Sequence, residues 1–160
     1  MGVSGTGKTT VARLLAERLG LAFADADDLH PPASIAKMSA GVPLDDADRR
    51  PWLESIGRRL REGSAAGTGC VVACSALKRR YRDILRAGCP GVFFLHLTAA
   101  PEVLAERIDH RTGHFMPTGL LASQLTALEP LEPDERGAEL DAEPPPEAIT
   151  ETAVGLLSPR

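Results

Sequence analysis

A three-layer α/β fold with a mostly parallel sheet follows from three features of the chain. Near its start, Gly2-Val-Ser-Gly-Thr-Gly-Lys-Thr9 spells G-x-x-x-x-G-K-[ST] and runs at once into a helical pattern. Gly69-Cys-Val-Val-Ala-Cys74 and Gly91-Val-Phe-Phe-Leu-His-Leu97 are nearly unbroken apolar runs, as expected of parallel strands covered on both faces. Helical stretches lie between these runs, as crossovers between parallel strands require.

The first motif is a phosphate-cradling loop. Glycines let its backbone fold into a nest of N–H donors at a helix N-terminus, whose dipole favours anions. Gly2, Gly5 and Gly7 supply that backbone, with Ser4, Thr6 and Thr10 completing the nucleotide-binding set. Lys8 is placed to reach the β- and γ-phosphates and Thr9 to put its hydroxyl on Mg²⁺. Such a loop normally follows a buried strand, yet only Met1 precedes Gly2. The expectation is a strand of about five to eight aliphatic or β-branched residues upstream of Met1, unless another segment or a partner chain fills its place.

After the loop, Val11, Leu14, Leu15 and Leu19 recur at helical spacing, and Gly20 ends the element. Leu21-Ala-Phe-Ala-Asp25 reads as a short strand ending in Asp25-Ala-Asp27-Asp28. In extended geometry Asp25 and Asp27 share a side. A phosphoryl transferase needs two carboxylates beside such a loop, one serving Mg²⁺ (Asp25) and one on the attacking hydroxyl (Asp27). Residues 30–63 read as a helical substrate-binding insertion: Ile35 and Met38 lie on one short helix, and Trp52, Leu53, Ile56 and Leu60 on a longer one with Pro51 in its first turn. The strand at 69–74 leads into Ser75-Ala-Leu-Lys78-Arg79-Arg80-Tyr81-Arg82-Asp83 and a helix.

Beyond the strand at 91–97, Pro101 opens a helix carrying Val103, Leu104 and Ile108. Residues 107–120 then form a cationic turn suited to a mobile lid, with Arg107 and Arg111 positioned to neutralise transition-state charge. His110 and His114 lack ligand partners at metal spacing and read as surface or lid packing. A helix through Leu120, Leu121, Leu125 and Leu128, a strand near Ala138–Asp141 and a helix through Ile149, Ala153, Leu156 and Leu157 complete the chain, with Pro144 to Pro146 as a connector.

With 160 residues, 43% hydrophobic and 25% charged, residues 1–160 suit a single domain. A formal net charge of -4 gives no electrostatic footprint for nucleic acid. There is no apolar run of membrane-spanning length, so a cytoplasmic protein is expected. Cys70, Cys74 and Cys89 read as reduced thiols, with Cys70 and Cys74 in an apolar run of the core.

Several short motifs, in order along nearly the whole chain, resemble the gluconokinases of the P-loop small-molecule kinase type. They are His30-Pro31, Lys37-Met38, Gly41-x-Pro43-Leu44, Asp48-Arg49-x-Pro51-Trp52-Leu53, Cys74-Ser75-Ala76-Leu77-Lys78, Tyr81-Arg82-Asp83, Gly113-His114-Phe115-Met116, Ser123-Gln124-Leu125 and Leu128-Glu129-Pro130. The resemblance implies a P-loop kinase fold, a homodimer, and ATP- and Mg²⁺-dependent phosphorylation of D-gluconate at its terminal hydroxyl. For so hydroxylated an anion the substrate-binding set is Asp27, His30, Arg49, Lys78 and Arg82, with at least one of the three cations expected on a solvated helix face. The rival readings are a shikimate kinase, which would carry a glycine-rich turn where Cys74–Lys78 stands, and a nucleotide-binding fragment without activity. A GTPase switch would need an Asn-Lys-x-Asp motif, which is missing.

Overall fold

The computed structural model describes residues 1–110 and 120–157. Its elements are α1 (Lys8–Leu19), β1 (Ala22–Asp25), α2 (Pro32–Ser39), α3 (Asp46–Ala65), β2 (Cys70–Ala73), α4 (Arg79–Gly88), β3 (Phe94–Thr98), α5 (Pro101–Asp109), α6 (Leu120–Ala127), β4 (Gly137–Asp141) and α7 (Pro146–Leu157).

Local chemistry accounts for the boundaries. Gly20 closes α1 in the left-handed conformation at φ 64°, where its amide bonds back to the last turn. Helix α3 begins earlier than Pro51 suggests, because Asp45 and Asp48 form a reciprocal capping box: each side chain accepts from the other's backbone amide. Pro51 therefore lies inside α3 and not in its first turn. Helix α2 is present as expected, and its Ile35 and Met38 are 49% and 43% exposed. Only Ser34 of that short helix is buried.

Strand β1 pairs with β2 and β3 with β4, both in parallel. The single sheet expected from the sequence is thus two two-stranded pieces among the described residues. Met1 and Gly2 bridge them: the Met1 amine donates to Leu95 O, Leu97 N donates to Met1 O at 2.9 Å, and Gly2 N donates to Ser75 O at 3.1 Å. Helices α1 and α7 pack together on one side, with Val11, Leu97, Ala142 and Ile149 in one apolar cluster. Helices α3 and α4 cover the other side around Trp52, Leu53, Ile56, Tyr81, Leu85 and Phe94. A third cluster of Val3, Leu77 and Leu104, with Leu121 and Leu125 against it, seats α5 and α6 beneath the first loop.

All three thiols are free, as read from the sequence; Cys74 is buried as expected, Cys70 is only half-buried, and Cys89 is buried too. Burial pushes the Cys74 thiol up to about 11, so it is inert. No described helix is long and apolar enough to cross a membrane.

Candidate active site

The glycine-rich loop is locked in place by its own backbone. Gly2 sits at φ 138°, and a Cβ there would stand 2.5 Å from Leu97 O, so no other residue fits between loop and strand. Gly7 is the N-cap of α1 at φ 80°, in a left-handed conformation, and a Cβ there would meet nothing within 4 Å. No side chain caps α1 and no acidic residue lies in its first turn. Its leading amides are therefore available to an anion, helped by the helix dipole. Val3 O accepts from Thr6 Oγ1 at 2.9 Å and from Lys8 Nζ at 2.8 Å. Thr6 is 1% exposed and its hydroxyl is spent inside the loop, so its side chain offers nothing to a nucleotide.

Thr9 and Asp25 meet as the motif predicts. Thr9 Oγ1 donates to Asp25 Oδ2 at 3.1 Å, while Asp25 Oδ1 accepts from the Asp27 amide at 3.1 Å. The second bond caps a 3₁₀ turn over Ala26–Leu29. Asp27 therefore does not share a strand face with Asp25. It lies one residue into the turn, exposed, and held by the carboxylate that stands beside Thr9.

The insertion supplies the next layer. The His30 ring stacks on Trp52 with centroids 4.4 Å apart and planes 8° from parallel. Trp52 is fixed in turn by its Nε1, which donates to Ala26 O at 2.6 Å. His30 Nδ1 is buried without a hydrogen-bond partner among the described residues. Burial pulls the His30 pKa below its ordinary 6.5; Asp27 pulls the other way and Arg49 reinforces the fall. His30 is thus a neutral imidazole at pH 7 lying near both Asp27 and Arg49. Arg49 is half-buried in the first turns of α3.

Lys78, just before α4, is tied to the insertion. Its Nζ lies 3.3 Å from Asp46 Oδ1, and the Asp46 carboxylate also takes Arg80 at 2.6 Å and the Tyr81 hydroxyl. Burial and the bond to Asp46 push the Tyr81 hydroxyl up to about 12, keeping it a donor. Ala76, in the loop before Lys78, has φ 43°, uncommon for a residue with a Cβ, and is 2% exposed. Its backbone is thus held in shape by the packing around it.

Arg82 does not belong to the substrate site, a correction to the sequence reading. Its side chain is fully buried against Glu135, at 2.7 and 2.9 Å. The rest of its guanidinium donates to the carbonyls of Ala76, Leu77, Glu129 and Pro130. With every donor direction taken by protein, it has nothing to offer a sugar acid. Arg107 is likewise not directed at the loop: it lies in the last turn of α5 and donates to Ala142 O at 2.7 Å and Glu143 O at 3.2 Å. Helix α5 continues to Asp109, past the expected start of the lid. Arg111 and His114 lie outside the described residues.

Gln124 is a contact that sequence reasoning missed. Its Oε1 accepts from Ser4 N at 2.7 Å, so α6 holds the loop from outside. The Ser123-Gln124-Leu125 motif marked the position, but nothing in its spacing gave it a role.

The Thr9–Asp25 pair, the uncapped α1 terminus and the open face of Gly7 fit a nucleotide with its Mg²⁺. Residues 4–128 match the family model described as Shikimate kinase. A gluconokinase of Gluconobacter oxydans (strain 621H) is 50% identical over 154 residues, covering 96% of this chain and 86% of the relative. The unliganded crystal structure of a sugar kinase from Janibacter sp. HTCC2649 is 52% identical with a TM-score of 0.90, covering 98% of this chain and 91% of that one. A gluconokinase crystal structure from Sinorhizobium meliloti 1021 is 48% identical with a TM-score of 0.86, covering 98% and 88%.

Proposed function

The chain belongs to the gluconokinase family of P-loop kinases, and on that premise we propose that it transfers the γ-phosphoryl group of ATP to the terminal hydroxyl of D-gluconate, giving 6-phospho-D-gluconate. The observation that carries the reading is the short chain of contacts Thr9–Asp25–Asp27, which sets an exposed carboxylate beside the phosphate loop.

Each residue has a distinct task. The amides of Gly5 to Thr9 hold the phosphates, and Lys8 turns from Val3 O to their oxygens. Thr9 and Asp25 hold Mg²⁺, directly or through water. When bound, the metal neutralises charge on the β- and γ-phosphates. Asp27 accepts the proton of the attacking hydroxyl and aims its oxygen. Phosphoryl transfer depends mostly on positioning and charge, so Asp27 needs no unusual pKa. Arg49 pairs with the gluconate carboxylate, and the neutral His30, half-buried on Trp52, sits beside the sugar's hydroxyls. Lys78, already beside Asp46, is second in line for the carboxylate.

Steady-state assays with ATP, Mg²⁺ and a panel of gluconate, shikimate, glucose and nucleoside monophosphates test this. The expected outcome is a kcat/KM for gluconate exceeding that of every other acceptor by roughly 100-fold or more. Turnover of shikimate at or above that of gluconate contradicts the proposal.

A further inference from the structure

The turn that carries Asp27 has little to hold it by itself. It is a single 3₁₀ turn over Ala26–Leu29, a class of helix whose hydrogen bonds are poorly aligned. Asp25, Asp27 and Asp28 crowd it with like charge, and the last two are exposed. A carboxylate that must meet one hydroxyl in one geometry cannot ride on a loose turn, because a misplacement of about 1 Å can cost roughly 100-fold in rate.

Trp52 of α3 supplies the anchoring. Its Nε1 donates to Ala26 O, the carbonyl immediately before Asp27, at 2.6 Å, and the bond is buried. Its face stacks on the ring of His30, just beyond the turn, with the planes 8° apart. Asp27 is thus bracketed: the Asp25 carboxylate holds its amide, the indole N–H holds the carbonyl ahead of it, and the indole face holds the ring behind it. Ala26 and Trp52 are 1% and 3% exposed in one apolar cluster, with Leu29 packed against it. A phenylalanine or leucine would fill much of that volume, but an N–H at the far end of the side chain is what reaches the carbonyl. Arg49 lies one turn earlier on the same helix, and its charge acts on the His30 ring that Trp52 stacks upon. One helix therefore carries both the cation assigned to the gluconate carboxylate and the side chain that fixes the turn of the proton acceptor.

We propose that Trp52 is a positioning residue for phosphoryl transfer: its indole fixes the Ala26–Leu29 turn and so aims the Asp27 carboxylate at the acceptor hydroxyl. Trp52 acts through Asp27, and the inference rests on the reading of Asp27 as the proton acceptor.

The test places Trp52→Phe on the wild-type chain and on Asp27→Asn. Phenylalanine keeps an aromatic face for His30 and removes the donor to Ala26 O. On the wild-type chain it is expected to lower kcat by roughly tenfold and to change the KM for ATP by less than about twofold. On Asp27→Asn it should lower kcat by less than about twofold, because no carboxylate is left to aim. A residue that merely supports the fold would cost the same in both. Amide hydrogen exchange gives a readout independent of the reaction: at Asp27, Asp28 and Leu29 it should quicken by at least about tenfold in Trp52→Phe. Trp52 is the single tryptophan of the chain, so expression with benzothienylalanine in place of tryptophan changes it alone and puts sulfur where the N–H stood. If Trp52→Phe does not fold, that protein replaces it in both measurements. A wild-type kcat in Trp52→Phe, an equal fall on the two backgrounds, or unchanged exchange at the turn each overturn the proposal. A wild-type kcat in Asp27→Asn overturns instead the reading of Asp27 on which it rests.

Discussion

Asp25 organises the reacting end of the site with one carboxylate. One oxygen accepts from Thr9 and the other from the Asp27 amide, so the residue that meets Thr9 also sets the turn that carries Asp27. Asp27→Asn keeps the shape but removes the proton acceptor. It is expected to lower kcat by roughly 100-fold or more while changing the KM for ATP little. An unchanged kcat with a raised gluconate KM would reduce Asp27 to a binding residue. Thr9 and Asp25 were legible in the sequence because the loop motif and a carboxylate at a strand end leave few geometries. Arg82 was not, because its partner Glu135 lies 53 residues away and both are residue types usually found at the surface. Spacing marks a cation near a site but does not say whether a distant carboxylate has claimed it.

At the scale of elements, helix α4 is clasped to the stretch between α6 and β4. Arg79 and Arg86 pair with Asp134 on the outside, and Arg82 pairs with Glu135 within. Burial alone would raise the Glu135 pKa, but the Arg82 guanidinium overrides it and holds that carboxyl below its ordinary range. Glu129 joins in, its amide donating to Leu77 O and its carboxylate accepting from Arg79 N. The clasp ties the strained Ala76 turn, and with it Lys78, to the helix whose Gln124 holds Ser4. Arg82→Ala strips buried Glu135 of its two-pronged partner, leaving it only Arg79 at 3.7 Å and the Glu132 amide at 3.0 Å, at an expected cost of about 3–5 kcal/mol in urea unfolding. Arg86→Ala, which breaks an exposed pair, should cost far less. Equal effects would show that burial is not what gives the inner pair its weight. The sequence located these helices, α2 among them, but did not show that its Ile35 and Met38 face outward. Periodicity reveals an apolar stripe and not what, if anything, covers it.

At the scale of the whole molecule, helices lie on both faces of parallel strands, as the sequence led one to expect. The division of the sheet into two pieces, with a slot between them, became visible only when the strands were paired in space. The acceptor was legible through the short motifs that resemble the gluconokinases, and the family bears that reading out. The most direct measurement of the central claim is ³¹P NMR of a reaction containing the purified chain, ATP, Mg²⁺ and gluconate, with Lys8→Ala run in parallel. The account predicts a phosphomonoester resonance, coupled to the terminal CH₂ protons of gluconate, growing as ADP forms, and no such signal with Lys8→Ala. A folded wild-type chain that yields no phosphogluconate, or a Lys8→Ala variant that yields it at the wild-type rate, would contradict it.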